Sequence, residues 1–164
     1  MVLLIGLSVR DYNINSSSAI ITVNQYVILS LDLSTEKCTQ LLLSQRFDEK
    51  LWHTPKLVVL MGCLCFCHDF EETHFVIWQM KNFGVQESWI QLFQISYEGK
   101  FFRWVNLWPL YLSENHDTLI LANDEVNEAF IYNHRRNKVH KIETTNDTMW
   151  SEAINYVESL VSIH

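Results

Sequence analysis

The sequence predicts an all-β protein of antiparallel sheets, and three observations carry that expectation. Short apolar runs rich in β-branched and aromatic residues are separated by polar turn residues. Tyr26 to Leu43, Trp78 to Phe93 and Ala129 to Glu143 each read as strand, polar turn, strand. With only four Gly and two Pro in the chain, the turns fall on Asn, Asp, Ser and charged pairs, whose side chains can hydrogen-bond the turn backbone.

Strands are expected in order along the chain. The apolar run near 2–9 and the β-branched stretch 18–22 come first, followed by 26–33, which ends at the turn former Asp32, and by 38–43. Residues 44–56 form a linker, since Pro55 restricts the residue before it and Asp48-Glu49-Lys50 break the apolar pattern. Strands then follow at 57–61, 63–68, 74–80 and 88–95, with Gly84 placed in the 81–87 turn where a positive φ is needed. After a loop at Tyr97 to Phe101, Leu107-Trp108-Pro109-Leu110 re-enters the sheet, and strands at 118–122, 129–133 and 137–142 complete the pattern. The last segment fits helical spacing through Ile154, Val157, Leu160 and Val161, and strand spacing through Val157, Ser159, Val161 and Ile163.

The turn-entry residues Asp32, Trp78 and Asn133 lie 46 and 55 positions apart. That is the size of a kelch-type propeller blade, about 50 residues forming a four-stranded sheet. The expected fold is therefore a partial kelch-like β-propeller of about three blades, one domain over 1–164, incomplete at its N-terminus. Closed propellers typically have four to eight blades. An arc of three leaves two blade faces without a neighbour, so the chain is a fragment, self-associates with another copy through its exposed blade edges, or curls into a compact sandwich.

Composition excludes several functional classes. The chain of 164 residues is 48% hydrophobic and 13% aromatic against 19% charged, which is a core-forming balance rather than a disordered one. The net charge of −7 leaves no general footprint for nucleic acid and slightly favours a basic partner. The basic run His134-Arg135-Arg136-Asn137-Lys138 reads as a solvated hairpin turn. MVLLIGLSVR lacks the basic start and cleavage site of a signal peptide, and no apolar run approaches the roughly 18 to 20 residues of a membrane span. The expected location is cytoplasmic, nuclear or both. Asn15-Ser16-Ser17 and Asn146-Asp147-Thr148 are then chance matches to a glycosylation pattern.

No constellation reads as a catalytic or metal centre. Cys63, Cys65 and Cys67 alternate, so a strand would space the thiols about 7 Å apart on one face, too far for chelation or a disulfide. Buried apolar cysteines are expected instead. His68-Asp69-Phe70-Glu71-Glu72-Thr73-His74 is the most enzyme-like cluster, yet it falls where a polar turn must join two strands. Asp124, Asn127 and Glu128 lack the Gly and the spaced Glu of a calcium loop, and no phosphate-binding or nucleophile motif occurs. No cofactor is expected. Trp78 and Trp89 are expected in the core, whereas Trp52, Phe101, Trp104 and Trp108 lie in or beside loops and are the candidates for a partner-binding surface.

Four stretches together give a closer relation: Leu31-Asp32-Leu33 with Glu36-Lys37, Gly62 to Cys65, Trp78 to Trp89 with its pattern W-x-MK-x-x-GV-x-ESW, and Tyr156 to Ser162. They resemble the F-box associated interaction domain of plant F-box and kelch-repeat proteins, from about residue 20 to the end. The resemblance implies the substrate-recognition part of an SCF-type ubiquitin ligase receptor, without catalysis of its own, and favours a strand at 155–162. It implies a protein target, with the Skp adaptor and cullin as partners only if an F-box lies upstream, because no F-box pattern precedes the hairpins here. Ser44-Gln45 departs mildly from the family, where a Leu-Pro end to the strand is usual. Two other readings are a truncated or regulatory remnant without ligase function and a small metal-dependent hydrolase using Cys63 to His74.

Overall fold

A computed structural model describes residues 3–10, 22–44, 51, 53–99, 106–123 and 128–143. Within them the chain forms eleven β-strands and two single turns of 3-10 helix, Val23–Gln25 and Gln86–Ser88. All the strands pair antiparallel, in three sheets. Sheet I is β1 (Leu3–Val9), β2 (Tyr26–Asp32) and β3 (Lys37–Leu42), in that spatial order. Sheet II is β4 (Lys56–Leu60), β5 (Cys63–Phe70), β6 (His74–Met80) and β7 (Trp89–Ser96), and sheet III is β8 (Leu107–Leu112), β9 (Thr118–Asn123), β10 (Glu128–Asn133) and β11 (Lys138–Lys141). Each sheet is a meander in chain order, which is the construction of propeller blades. The strands expected at 18–22 and 155–162 fall, apart from Thr22, outside the described residues, as do Asp124 and Asn127.

The repeat is real at the level of sheets, and its three marker turns are not alike. Asp32, Trp78 and Asn133 all belong to the last hairpin of their sheet, β2–β3, β6–β7 and β10–β11. Asp32 and Asn133 enter the same four-residue turn. Asp32 Oδ1 accepts from Ser34 N (2.9 Å) and Asn133 Oδ1 from Arg136 N (2.9 Å), the fourth turn residues Glu36 and Asn137 have φ of 56° and 49°, and Lys37 and Lys138 begin the return strands. Short Asx side chains supply the turn hydrogen bond that a glycine-poor chain needs. Trp78 enters no turn. Its strand runs on to Met80, and the connection is the longer segment Lys81–Ser88.

The chain divides into two compact units, Met1–Asn106 with sheets I and II, and Leu107–His164 with sheet III. In the first unit, sheets I and II pack face to face. Tyr26, Ile28 and Leu43, with Ile5, Leu7, Val9 and Leu41 beside them, meet Leu64, Phe66, Met80 and Trp89, flanked by Leu57 and Trp78. Period-2 alternation selects this set: Leu7, Ile28 and Leu41 are cross-strand neighbours, as are Leu57, Phe66 and Trp78. The opposite face of sheet II is buried too, through Leu60, Cys65, Cys67, Phe75, Ile77, Phe93 and Ile95. A sheet buried on both faces suits an inner blade and accounts for the apolar runs of β5 and β6. In sheet III, Leu107, Leu112, Leu119, Leu121, Phe130 and Tyr132 are buried.

Candidate interaction site

The motif Trp78 to Trp89 ties two blades together. Gly84, at φ 83°, lets the chain reverse so that its N–H reaches Met80 Sδ at 3.2 Å. Ser88 organises the rest: its Oγ accepts from Asn82 N (3.1 Å) and lies within donating distance of the carbonyls of Asn82 (2.9 Å) and Val85 (2.7 Å). Val85 N and Ser88 N close the successive turns onto Asn82 O and Val85 O, both at 3.0 Å. The turn thereby presents two donors to sheet I. Gln86 Nε2 donates to Leu43 O (2.7 Å) and Trp89 Nε1 to Leu42 O (3.3 Å), at the end of β3. Trp89 is buried as expected, and Trp78 is half-buried against the same core.

The His68–His74 segment differs from the polar turn expected of it. β5 continues to Phe70, so only Glu71–Thr73 form the turn, and His68 and Asp69 are 3% and 4% exposed. A strand buried on both faces has room for these polar groups because each finds partners. His68 Nδ1 donates to Asp69 O (3.2 Å), and its Nε2 accepts from Trp78 Nε1 (3.3 Å), which fixes the neutral imidazole. Burial pushes its pKa down to about 4, against a smaller upward pull from the Asp69 carbonyl. Asp69 accepts from the buried Tyr97 hydroxyl, and His53 Nδ1 approaches its Oδ2 to 3.0 Å, away from hydrogen-bond geometry. Asp69 thus anchors the segment entering β4 and the end of β7 to one strand. Neither residue is presented as an acid or a base.

Between the Glu71–Thr73 turn and Ser96–Gly99 lies a cavity of about 530 Å3. Glu71 and Glu72 hold φ of 46° and 56°, a conformation costing non-glycine residues on the order of 1 kcal/mol or more. Hydrogen bonds from Thr73 N to Phe70 O (2.9 Å) and Tyr97 N to Thr73 O (2.8 Å) secure it. The walls carry Glu72, Glu98 and His74, whose Nδ1 lies 2.8 Å from Thr73 Oγ1. Such walls can bind polar side chains of a docked protein.

Cys65 and Cys67 are buried within β5 as expected, whereas Cys63, the first residue of the strand, is only half-buried. Burial pushes the Cys65 thiol up to about 12 and Cys67 well above its ordinary value, which keeps both protonated and inert. Among the described residues no three His, Cys, Asp or Glu side chains come together as a metal site. Of the loop aromatics, Trp52, Phe101 and Trp104 lie outside the described residues. Trp108 is not in a loop: it sits within β8, opposite Ala122, half-buried. Pro109 did not signal an interrupted strand because β8 is an edge strand with a register shift at 109–111, where a missing N–H is tolerated.

Three antiparallel meanders of blade type in one chain are consistent with a partial β-propeller. Compared with known families, residues 13–163 match the F-box associated beta propeller domain, and the chain belongs to that family. No curated protein and no solved structure matches it. The family match covers the stretches singled out in the sequence and accounts for three meandering sheets in one chain.

Proposed function

We propose that this chain is the target-recognition part of an SCF-type ubiquitin ligase receptor of the plant F-box and kelch-like kind. The family match over residues 13–163 carries the reading. The described structure supports it: the polar residues that resemble a catalytic cluster are consumed in internal bonds at His68 and Asp69, while the cavity offers surface for a protein partner. The chain binds a target and does no chemistry. Ubiquitin transfer belongs to the cullin complex, and the adaptor contact belongs to an F-box. The place of action is the cytosol, the nucleus or both.

A pull-down tests the division of labour. The 164-residue chain, immobilised, is expected to retain no Skp adaptor, whereas the same chain fused behind an F-box retains it stoichiometrically. Stoichiometric adaptor binding by the unfused chain would contradict the reading.

A further inference from the structure

The cavity of about 530 Å3 lies where the strands of sheet II end, between the β5–β6 turn and the segment Ser96–Gly99 that closes β7. Its described walls come from one sheet and not from a sheet face. His74 pairs with Ser96 across β6 and β7, and Tyr97 N donates to Thr73 O (2.8 Å), so backbone hydrogen bonds hold the two walls at a fixed distance. The volume falls within the roughly 300 to 1,000 Å3 of ligand sites.

The hydrogen-bonding capacity left on these walls is one-sided. Thr73 Oγ1 gives its only proton to Phe70 O (3.0 Å), so it accepts from His74 Nδ1 (2.8 Å), and the neutral ring keeps Nε2 as an acceptor. The other donors are engaged as well: Thr73 N on Phe70 O (2.9 Å), the Tyr97 hydroxyl on Asp69, and Glu98 N on Ser96 Oγ (3.2 Å). What remains, beside the Ser96 hydroxyl proton, is the acceptor set of His74 Nε2 and the carboxylates of Glu72 and Glu98, which make no ion pair among the described residues. Glu72 is half-buried, so solvent screens its charge less than that of the exposed Glu98.

A lining of acceptors calls for a ligand rich in donors. A guanidinium presents five N–H groups in a planar fork, accepts nothing, and pairs with carboxylates through two bonds at once, whereas an ammonium is a more strongly hydrated point charge. Resting on the target-recognition reading, we propose that this cavity seats an arginine side chain of the target, its guanidinium donating to the carboxylates of Glu72 and Glu98 and to His74 Nε2. The net charge of −7 favours the approach of such a basic segment, and the cavity selects the residue within it.

The probe is the blocked tripeptide Gly-Arg-Gly, with counterparts carrying lysine or citrulline, the uncharged isostere of arginine, titrated into the 164-residue chain and followed by backbone amide resonances. The arginine peptide is expected to give saturable shifts at Thr73, His74, Ser96 and Glu98, the lysine peptide to bind more weakly, and the citrulline peptide to give none. The double substitution Glu72→Gln, Glu98→Gln should weaken binding at least about tenfold without changing the melting temperature, since it removes both charged acceptors. Glu114→Gln, which changes an exposed residue of the turn before β9, should leave it unchanged. Equal binding of the lysine or citrulline peptide, no saturable shift, shifts confined to other residues, or indifference to the double substitution overturns the proposal. If the F-box fusion still captures and ubiquitylates its target after the double substitution, this inference fails alone; if the unsubstituted fusion ubiquitylates nothing it captures, the target-recognition reading fails.

Discussion

His68 shows how far a residue's surroundings depart from what its neighbours in sequence suggest. Read along the chain, it opens a polar run; in the fold it is a neutral imidazole held between the Asp69 carbonyl and the Trp78 indole. Its pKa falls from 6.5 to about 4 through burial. Below pH 6.5 the unfolded chain takes up a proton that the folded chain refuses, so the stability His68 contributes is complete above that pH and is lost as pH falls toward 4. The loss amounts to about 3 kcal/mol over the window. Denaturant melts should show it, and His68→Gln, which keeps an acceptor for Trp78 without titrating, should remove that part of the pH dependence. The cysteines were easier to foresee, since alternation alone separates their thiols. Exposed Cys38 should react first with a thiol reagent in the native protein, and Cys65 and Cys67 only on unfolding. Cys65→Ser should cost roughly 1 to 3 kcal/mol in a urea melt with no metal released, because a hydroxyl replaces an apolar thiol in a closed layer.

At the scale of elements, strand positions were legible because period-2 burial and turn chemistry leave direct traces in the sequence. The turns at Asp32 and Asn133 could be recognised as equivalent from their Asx side chains. The β5 end could not be placed, because Asp69 resembles a turn residue and its partners Tyr97 and His53 are distant in sequence. The Trp78–Trp89 motif was visible as a pattern, but its bonds to Leu42 and Leu43 depend on the packing of sheets I and II, which local sequence does not specify. Gln86→Ala should lower stability by about 1 kcal/mol by leaving the Leu43 carbonyl without this donor. Ser88→Ala should cost more, roughly 1 to 3 kcal/mol, since it removes the side chain that holds both Asn82 and Val85. Equal effects in chemical denaturation would show that the turn is not organised from Ser88.

For the whole molecule, spacing suggested three blades and the described residues form three meandering sheets, within a family whose match spans 13–163. The positions of the aromatics expected on a partner-binding surface were less legible. Loops were the natural place to seek exposed aromatics, yet Trp108 and Tyr111 came to lie on an edge strand whose register shift only the folded sheet reveals. Recognition through a family fold remains the central claim, and reconstitution addresses it most directly. The chain fused behind an F-box, assembled with adaptor, cullin and the charging enzymes, is expected to ubiquitylate a protein that the chain captures, while the unfused chain captures the same protein and leaves it unmodified. Capture that requires the F-box, or turnover of the captured protein by the unfused chain alone, would contradict it.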